Sequence, residues 1–192
     1  MLEFAVAIAL ALPSAQTPDR ELVPVPAENM VPRLNINQRL EFDLAAYRER
    51  PPRVGDIVLL HPPTGAREER CGQPRNRAPE QLCAKPRGGA DTERRFIMRV
   101  VATAGDRVTF RRGLVVRNGK LERRKVRRCT AGCPSRGIVT VPAGHVYVAG
   151  DNRPNSDDSR FWGALPVDQL LGRYVRTCKE FAEDPSPTCT SP

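Results

Sequence analysis

Short segments in which apolar residues alternate with polar ones, or follow one another without interruption, recur along the chain between turn-forming residues. Alternation predicts half-buried strands, and short apolar runs bounded by turn residues predict buried strands. The predicted strands cover residues 21–26, 39–43, 55–61, 95–98, 137–142 and 145–149, with a hairpin at 114–121. The hairpin contains Asn118-Gly119, a dipeptide typical of type I′ turns. With only one short helical turn expected, at 167–171, the pattern indicates a mostly β fold.

Composition agrees with this pattern and limits the size of the fold. The chain has 192 residues, which fits one domain of ordinary size with a proper core. Its 19 prolines and hydrophobic content of 40% favour strands and coil over a helical bundle. Apolar residues become sparse in 62–93, so this segment is predicted to be a long loop.

An apolar run at residues 4–12 marks the N-terminus, and small residues follow it up to Ala15. Residues 1–19 therefore have the character of a short hydrophobic signal or an anchor. The run is shorter than the roughly 20 apolar residues that a membrane-spanning helix needs. Three interpretations stay open: a shortened anchor, a signal cleaved after Ala15, or a misassigned start of the sequence.

Six cysteines fall into three pairs that are close in sequence: Cys71 and Cys83, Cys129 and Cys133, and Cys178 and Cys189. An even number of cysteines in an exported chain favours disulfide bonds, and we predict three local ones, although many other pairings are possible. A zinc site is the alternative. It is disfavoured because no pair has Cys-x-x-Cys spacing and neither His61 nor His145 stands beside a cysteine.

The chain is strongly basic, with a formal net charge of +9 and 27 arginines against 4 lysines. Such a charge suits nucleic acid or an anionic lipid surface equally well. The densest basic run, residues 123–128, contains no aromatic residues that could stack on bases, which argues against nucleic acid. We therefore expect this run to form a solvated face that contacts an anionic membrane surface.

The segment 150–163 reads Gly-Asp-Asn-Arg-Pro-Asn-Ser-Asp-Asp-Ser-Arg-Phe-Trp-Gly and follows the predicted strand 145–149. It is too polar for a core and too aromatic for an ordinary loop. Charged groups persist inside a protein when they are paired and hydrogen-bonded. The segment is therefore either a charged surface loop or a fixed lattice of ion pairs. Its charged residues are Asp151, Arg153, Asp157, Asp158 and Arg160.

This segment resembles the last signature motif of type I signal peptidases, Gly-Asp-Asn-Arg-x-x-Ser-x-Asp-Ser-Arg-x-x-Gly, at every fixed position. Three further segments resemble motifs of the same family in the same order. They are 29–34, which keeps Met30, Pro32 and Leu34; 55–61; and 96–106, which keeps Phe96, Ile97, Arg99, Val100, Gly105 and Asp106. Because the resemblance extends from about residue 20 to 177, the chain is identified as a member of this family.

The resemblance assigns two unsuitable side chains to the positions of the catalytic pair. The family has a serine nucleophile where this chain has Asn29, and a lysine general base where it has Met98. Asparagine offers no hydroxyl, thiol or amine for activation, and a thioether accepts no proton at useful pH. No Ser or Thr occurs between Thr17 and Thr64 to act in place of Asn29. The resemblance therefore implies a member without the catalytic dyad.

Supporting residues are also implied by the resemblance. Ser156 would be the hydroxyl that orients the general base. Two ion pairs are expected around it, one between Asp151 and Arg99 and one between Asp158 and Arg160. These pairs would hold the site in place.

The resemblance further implies a groove for an extended peptide. The strands at 23–29 and 95–98 would flank it and bind the peptide through backbone pairing. Ala27 stands where the family often supplies an oxyanion-binding side chain. The predicted groove residues are Val23, Val25, Ala27, Met30 and Phe96.

In fold, the resemblance implies coiled antiparallel sheets with little helix, in a domain of residues 20–177. Variable segments are expected within it, a Cys-tied loop at 62–93 and a β insertion at 107–140. A Pro- and Ser-rich tail is expected at 178–192.

In function, the resemblance implies an inactive copy that binds extended polypeptides, such as the signal peptides of exported proteins, or assists export or surface assembly. It would be extracytoplasmic in a bacterium, membrane-associated or secreted, with no cofactor and no metal. Two alternatives stay open: an active serine endopeptidase that cleaves signal peptides with atypical groups, and a degraded gene product without a binding function.

Overall fold

The computed structural model describes residues 19–74, 81–129, 133–181 and 184–190. Within these ranges the chain is mostly β, which confirms the predicted fold class, and its α-helices are the short α1 (Ala46–Glu49) and α2 (Ser159–Trp162). The strands are β1 (Arg20–Pro24), β2 (Arg39–Asp43), β3 (Ile57–Leu60), β4 (Glu69–Arg70), β5 (Gln73–Pro74), β6 (Phe96–Thr103), β7 (Arg107–Arg111), β8 (Leu114–Arg117), β9 (Lys120–Leu121), β10 (Val139–Thr140), β11 (His145–Ala149), β12 (Leu165–Pro166), β13 (Leu170–Phe181) and β14 (Asp184–Thr190).

A large antiparallel sheet forms the body of the described chain. Its strand order is β1-β2-β13-β3-β6-β11-β12, and β14 pairs with β13. The central strands β3 and β6 are buried on both faces, and for this reason their sequences are apolar without alternation, apart from the ion-paired Arg99 and the terminal Thr103 of β6. The edge strand β1 has one buried residue, Val23, and its other positions are exposed or half-buried.

A smaller sheet, with the order β10-β7-β8-β9, is built from the predicted β insertion at 107–140. Its β8-β9 hairpin turns through Asn118 and Gly119, whose φ angles of 50° and 77° have the sign that a type I′ turn requires. β7 follows β6 through a tight turn at Asp106, whose carboxylate accepts hydrogen bonds from the Thr103 N–H (2.9 Å) and the Asn118 amide (2.6 Å). The small sheet is therefore fixed to the end of β6.

Buried apolar side chains gather in three clusters, and β6 contributes to all of them. Met98 packs in a cluster with Trp162, and Ile97 joins a second cluster that includes the side chains of β1. The far end of β6 packs in a third cluster with Phe110 and Tyr147. Cores therefore lie on both faces of β6, and this strand connects all three clusters.

Three disulfide bonds join Cys71 to Cys83, Cys129 to Cys133 and Cys178 to Cys189, which confirms the predicted local pairing. The first of them lies within the segment 62–93, which also contains the short β4-β5 ribbon. This segment docks on α2: the Cys71 N–H donates to the Phe161 carbonyl at 2.8 Å, and Leu82 is buried in the third cluster.

The predicted tail at 178–192 begins inside β13, which continues without interruption to Phe181. β14 returns beside it, with Cys189 opposite Cys178. The signal-like or anchor-like run at residues 4–12 lies outside the described residues. Within the described ranges, no helix combines the length and the apolar character needed to cross a membrane.

Candidate functional site

The polar segment 150–163 follows β11 directly and carries most of its charge into the interior. Four of its charged side chains are fully buried, and Asp157 is half-buried. A solvated surface loop would leave these groups in water, so the burial requires internal partners for each of them. The four fully buried residues are Asp151, Arg153, Asp158 and Arg160.

Arg99 of β6 forms a bidentate ion pair with Asp151, which follows β11. Arg99 Nε donates to Asp151 Oδ1 at 2.8 Å, and Nη2 donates to Oδ2 at 2.5 Å. The third guanidinium nitrogen, Nη1, donates to the Gly55 carbonyl at 2.9 Å. Planar pairing of this kind satisfies both charges and fixes their orientation. The pair therefore links the 150–163 segment to β6 and to the turn before β3.

Asp158 and Arg160 form the second buried pair. Arg160 Nε and Nη2 donate to the two carboxylate oxygens of Asp158, each at 2.8 Å. Asp158 is also the N-cap of α2, because its side chain accepts from the Arg160 backbone N–H at 3.2 Å. Arg160 Nη2 reaches the Arg153 carbonyl at 2.7 Å as well. Asp158 and Arg160 thus neutralise each other within the first turn of α2.

Arg153 has a partner that sequence reasoning missed, Glu122 of the loop after β9. The two guanidinium nitrogens donate to the two Glu122 oxygens, at 2.5 Å and 3.1 Å, and Arg153 also donates to the Gly113 carbonyl. Glu122 is an acid placed immediately before the basic run 123–128, which is the only sequence signal it carries. This pair ties the small sheet to the 150–163 segment.

Ser156 is buried and bonded within its own segment. Its Oγ accepts from the Gly150 N–H at 3.1 Å and donates to Asp158 Oδ2 at 2.7 Å. The same carboxylate oxygen accepts from the Gly150 N–H at 3.1 Å. The hydroxyl proton is therefore directed at a carboxylate.

Asn29 lies in the 3₁₀ turn Glu28–Met30, which follows β1. Its side-chain amide donates to the Ile97 carbonyl of β6 at 2.7 Å. Its own carbonyl accepts from the Asn152 N–H at 2.9 Å, and the Asn152 side chain donates to the Glu28 carbonyl at 3.0 Å. Asn152, a second residue that sequence reasoning did not single out, therefore holds the turn against the 150–163 segment.

Met98 lies on β6, opposite Val58 of β3, and only 1% of its surface is exposed. Its neighbours in the cluster are aliphatic and aromatic side chains. Such an environment disfavours a charged group and suits an adaptable thioether.

An open cleft of about 340 Å³ lies between the turn after β1 and the first half of β6, and both Asn29 and Met98 line it. Its wall combines small and apolar residues with several cations and one carboxylate. The lining residues are Pro26, Ala27, Asn29, Arg67, Arg94, Arg95, Phe96, Ile97, Met98, Asn155 and Asp157.

The predicted groove residues divide into two groups. Ala27 and Phe96 line the cleft. Val23, Val25 and Met30 are buried in the apolar cluster behind it and support its wall. The cation Arg67, whose guanidinium lies 6.0 Å from the centre of the Phe96 ring, was not predicted, because its loop position carries no sequence signal.

The edge of β6 is open where it borders the cleft. On one side β3 pairs with β6 from Phe96 to Arg99. On the other side β11 pairs with β6 from Arg99 onward, so that 96–98 lack a strand partner there among the described residues. Asn29 covers part of this open edge by binding the Ile97 carbonyl.

Within the described residues, one group of metal-ligand side chains comes close together: Glu41, Cys178 and Cys189. The two cysteines are joined in a disulfide, so they offer no thiolates to an ion. The group lies on the β2-β13-β14 side of the sheet and contributes nothing to the cleft.

The sequence matches the model of the family described as signal peptidase, peptidase S26, over residues 1–178. It is 34% identical over 153 residues to a probable signal peptidase I-1 of Synechocystis, an alignment that covers 79% of this chain and 67% of that protein. It is 32% identical over 152 residues to a signal peptidase I of Leptolyngbya laminosa, again covering 79% of this chain but 64% of that protein.

Among solved structures, a signal peptidase I of Enterococcus faecalis V583 aligns with a TM-score of 0.41 and 21% identity, covering 65% of this chain and 97% of that one. The family match extends over nearly the whole chain and includes both Asn29 and Met98. The chain belongs to the signal peptidase family, peptidase S26.

Proposed function

We propose that this chain is a catalytically inactive member of the signal peptidase I family that binds extended polypeptides in the cleft beside β6. The observation that carries the proposal is the chemistry of the cleft wall. None of the described residues that line it is a Ser, Thr, Cys, Lys or His. Hydrolysis by this family's route needs a serine hydroxyl as nucleophile and a lysine amine as the base that activates it, and the wall supplies neither.

Asn29 and Met98 occupy the two positions where the family resemblance expects the serine and the lysine. The Asn29 amide is held by the Ile97 carbonyl, and the Met98 thioether is packed among apolar side chains. Ser156, the implied base-orienting hydroxyl, donates to Asp158 instead. We infer that this chain has kept the supporting ion pairs, Arg99–Asp151 and Asp158–Arg160, and has lost the two reacting groups.

The open edge of β6 supports peptide binding. An extended peptide can add a strand to an exposed sheet edge, with affinity from backbone hydrogen bonds and specificity from side-chain pockets. In the cleft, the backbone at 96–98 offers that edge, and Ala27 leaves room opposite it. The Phe96 ring provides an apolar contact for a peptide side chain.

Relatives named signal peptidases suggest the chemical class of the peptide. We propose signal peptides of exported proteins, or similar extended segments, as the ligand, and the outer face of a bacterial membrane as the location. The anionic membrane surface would be a second partner, in keeping with the net charge of +9. An accessory role in export or surface assembly follows from these two partners.

The decisive experiment measures cleavage and binding separately. A fluorogenic signal-peptide substrate is incubated with the wild-type protein and with the double variant Asn29→Ser, Met98→Lys. We expect no cleavage by the wild type, because losing a nucleophile typically lowers the rate on the order of 10⁶-fold. Cleavage by the wild type would overturn the proposal in favour of an active peptidase with atypical groups. Cleavage by the double variant alone would support it directly.

Binding is measured by fluorescence anisotropy with an uncleavable signal peptide. Ala27→Trp, which fills the cleft, should abolish saturable binding, whereas Ala143→Trp, at an exposed site outside the cleft, should leave it unchanged. If the wild type shows no saturable binding to any signal peptide, the chain lacks the binding function and the degraded-gene interpretation gains support.

A further inference from the structure

A second pocket, of about 360 Å³, lies beyond the Arg99–Asp151 pair, between the later part of β6 and the β8-β9 hairpin. It is separate from the peptide cleft, which borders the start of the same strand. We call it the basic pocket. Its lining residues are Val54, Arg99, Val100, Val101, Val115, Arg117, Lys120, Leu121, Glu122, Arg123 and Arg124.

The charges of the basic pocket are not balanced within the protein. Arg99 is paired with Asp151 and Arg117 with Asp106, so each of these two cations has a direct carboxylate partner. Three cations, Lys120, Arg123 and Arg124, form no ion pair with any carboxylate of the described residues. They are left facing the pocket together.

Glu122 is the acidic residue among the described lining residues, and its carboxylate already has hydrogen-bond partners inside the protein. It accepts two hydrogen bonds from Arg153 and one from the Val115 N–H at 2.7 Å. The negative charge of Glu122 is therefore paired with the buried guanidinium of Arg153, behind the pocket wall. An anion from outside would meet three cations that have no direct carboxylate partner among the described residues.

Arg124 reaches back to the turn before β3. Its guanidinium packs against Gly55, since a methyl group built on that glycine would lie 3.3 Å from Arg124 Nη2. Burial and repulsion by Arg99 lower the pKa of Arg124 below its ordinary value. A negatively charged ligand in the pocket would relieve this repulsion.

Apolar residues at the pocket rim indicate which kind of anion fits. Val54 is 41% exposed and Leu121 is 46% exposed, and they are two of the four large apolar side chains that the described chain leaves exposed. No aromatic residue is present among the described lining residues to stack on a base. Cations beside exposed aliphatic side chains match an interface that combines phosphate with hydrocarbon.

We propose that the basic pocket binds the phosphate of an anionic phospholipid headgroup, with Lys120, Arg123 and Arg124 as ligands and with Val54 and Leu121 facing the hydrocarbon boundary. The inference deepens the membrane partner of the proposed function. It is independent of peptide binding in the cleft, because the two sites share no lining residue.

The test uses the full chain and vesicles of two compositions, pure phosphatidylcholine and phosphatidylcholine mixed with the anionic phosphatidylglycerol. Binding is measured by co-flotation. The difference between the two compositions isolates the electrostatic contribution from any contribution of the apolar run at 4–12. We expect clear preference for the anionic vesicles, and equal binding to both would overturn the proposal.

Two double variants distinguish binding in the pocket from diffuse electrostatic attraction. One is Arg123→Gln with Arg124→Gln, and the other is Arg127→Gln with Arg128→Gln. Both remove the same charge from the same basic run, but only the first pair lines the pocket. The first pair should weaken binding to anionic vesicles about tenfold more than the second, because only the first removes direct contacts to a headgroup in addition to diffuse attraction. Equal losses from both pairs would show diffuse attraction and overturn the proposal. Lys120→Gln is a second pocket variant, should the first fail to fold.

Inorganic phosphate distinguishes a lipid headgroup from a soluble anion. Leu121→Ser should weaken vesicle binding and leave inorganic phosphate binding unchanged. If phosphate binds the pocket while anionic vesicles do not, the site serves a soluble anion and the lipid assignment is wrong. Peptide anisotropy of the same variants should match the wild type, so failure of this proposal is distinguishable from failure of the cleft proposal.

Discussion

The side-chain amide of Asn29 donates a 2.7 Å hydrogen bond to the Ile97 carbonyl, on the open edge of β6. Asn29, at the position expected for a nucleophile, thus connects the turn after β1 to the sheet. It also occupies a backbone acceptor that an added peptide strand would use.

The hydrogen bond between Asn29 and Ile97 leads to the first prediction. Asn29→Ala frees the Ile97 carbonyl for a bound peptide and should raise peptide affinity about fivefold, the effect of one net hydrogen bond of about 1 kcal/mol. Anisotropy titration with an uncleavable signal peptide measures it. Asn155→Ala, a second asparagine of the cleft wall without this bond, is the matched control and should change affinity little. Weaker binding by Asn29→Ala would mean that the amide contacts the peptide itself.

The second prediction concerns the apolar surroundings of Met98. In Met98→Lys, burial should lower the pKa of the new amine, so that the unfolded chain binds more protons than the folded one between the two pKa values. Stability must then rise with pH through that window. We expect a loss of about 4 kcal/mol at pH 7, for a pKa lowered by about three units, and partial recovery near pH 10.

Urea denaturation across pH measures this change. Ile138→Lys, at a side chain that is 58% exposed, is the control and should show neither the loss nor its pH dependence. A Met98→Lys protein as stable as the wild type at pH 7 would show that the cluster around position 98 readily admits a charge.

The third prediction tests the pair of Arg99 and Asp151, which are 4% and 0% exposed. Asp151→Asn leaves a buried guanidinium without its counter-charge and should cost about 3 to 5 kcal/mol of unfolding free energy. The control is Asp19→Asn, which breaks the exposed pair with Arg48 and should cost less than about 1 kcal/mol. Chemical denaturation of both variants gives the comparison, and similar losses would contradict the assigned role of burial.

The fourth prediction concerns Asp106 at the β6-β7 turn. Burial acts to raise the pKa of Asp106, but hydrogen bonds from the Thr103 N–H, Asn118 and Arg117 together lower it below its ordinary value. A carboxyl whose folded pKa is lowered stabilises the fold above its unfolded pKa, and this contribution disappears as pH falls through the folded pKa.

Asp106→Asn should therefore cost about 2 kcal/mol at pH 7, the typical value for hydrogen bonds to a charged group. The difference from the wild type should persist down to about pH 5 and shrink below about pH 4, the ordinary aspartate range. Asp168→Asn, at an exposed position, is the control. A difference that grows toward low pH would contradict the sign of the pKa shift.

The fifth prediction concerns the close approach at Gly150. A Cβ at this position would collide with the Asn29 carbonyl and with Ser156 Oγ. Gly150→Ala should therefore force the turn after β1 away from the 150–163 segment and cost about 2 kcal/mol or more. Gly88→Ala, where a Cβ would meet nothing within 4 Å, is the control and should be near neutral. Thermal unfolding and peptide anisotropy measure both effects.

Local patterns predicted much of the fold. The alternating run at 145–149 and the run at 39–43 became strands with those bounds, and Asn118-Gly119 formed the predicted turn. The strands depend on the alternation of apolar and polar side chains, and the turn depends on a backbone conformation that few residue types adopt. Both signals are visible within a few consecutive residues. The three disulfides were predictable because each pair is close in sequence.

The partners of buried charges were harder to predict when they were distant. Asp158 and Arg160 are two positions apart, so their pairing is a property of one turn. Arg153 and Glu122 are 31 positions apart, and only the docking of the small sheet brings them together. Arg67 likewise lines the cleft beside Phe96, which is 29 positions away in the chain.

The sequence alone determined the mostly β class, the local disulfides and the presence of Asn29 and Met98 in an otherwise well-kept set of motifs, since residue identity and spacing do not depend on folding. The tertiary structure decided where those residues act. It brought the Asn29 amide to the Ile97 carbonyl, buried Val23, Val25 and Met30 behind the cleft, and gathered Lys120, Arg123 and Arg124 around one pocket. Each of these results depends on contacts between segments far apart in the chain, which are fixed only when the sheets pack.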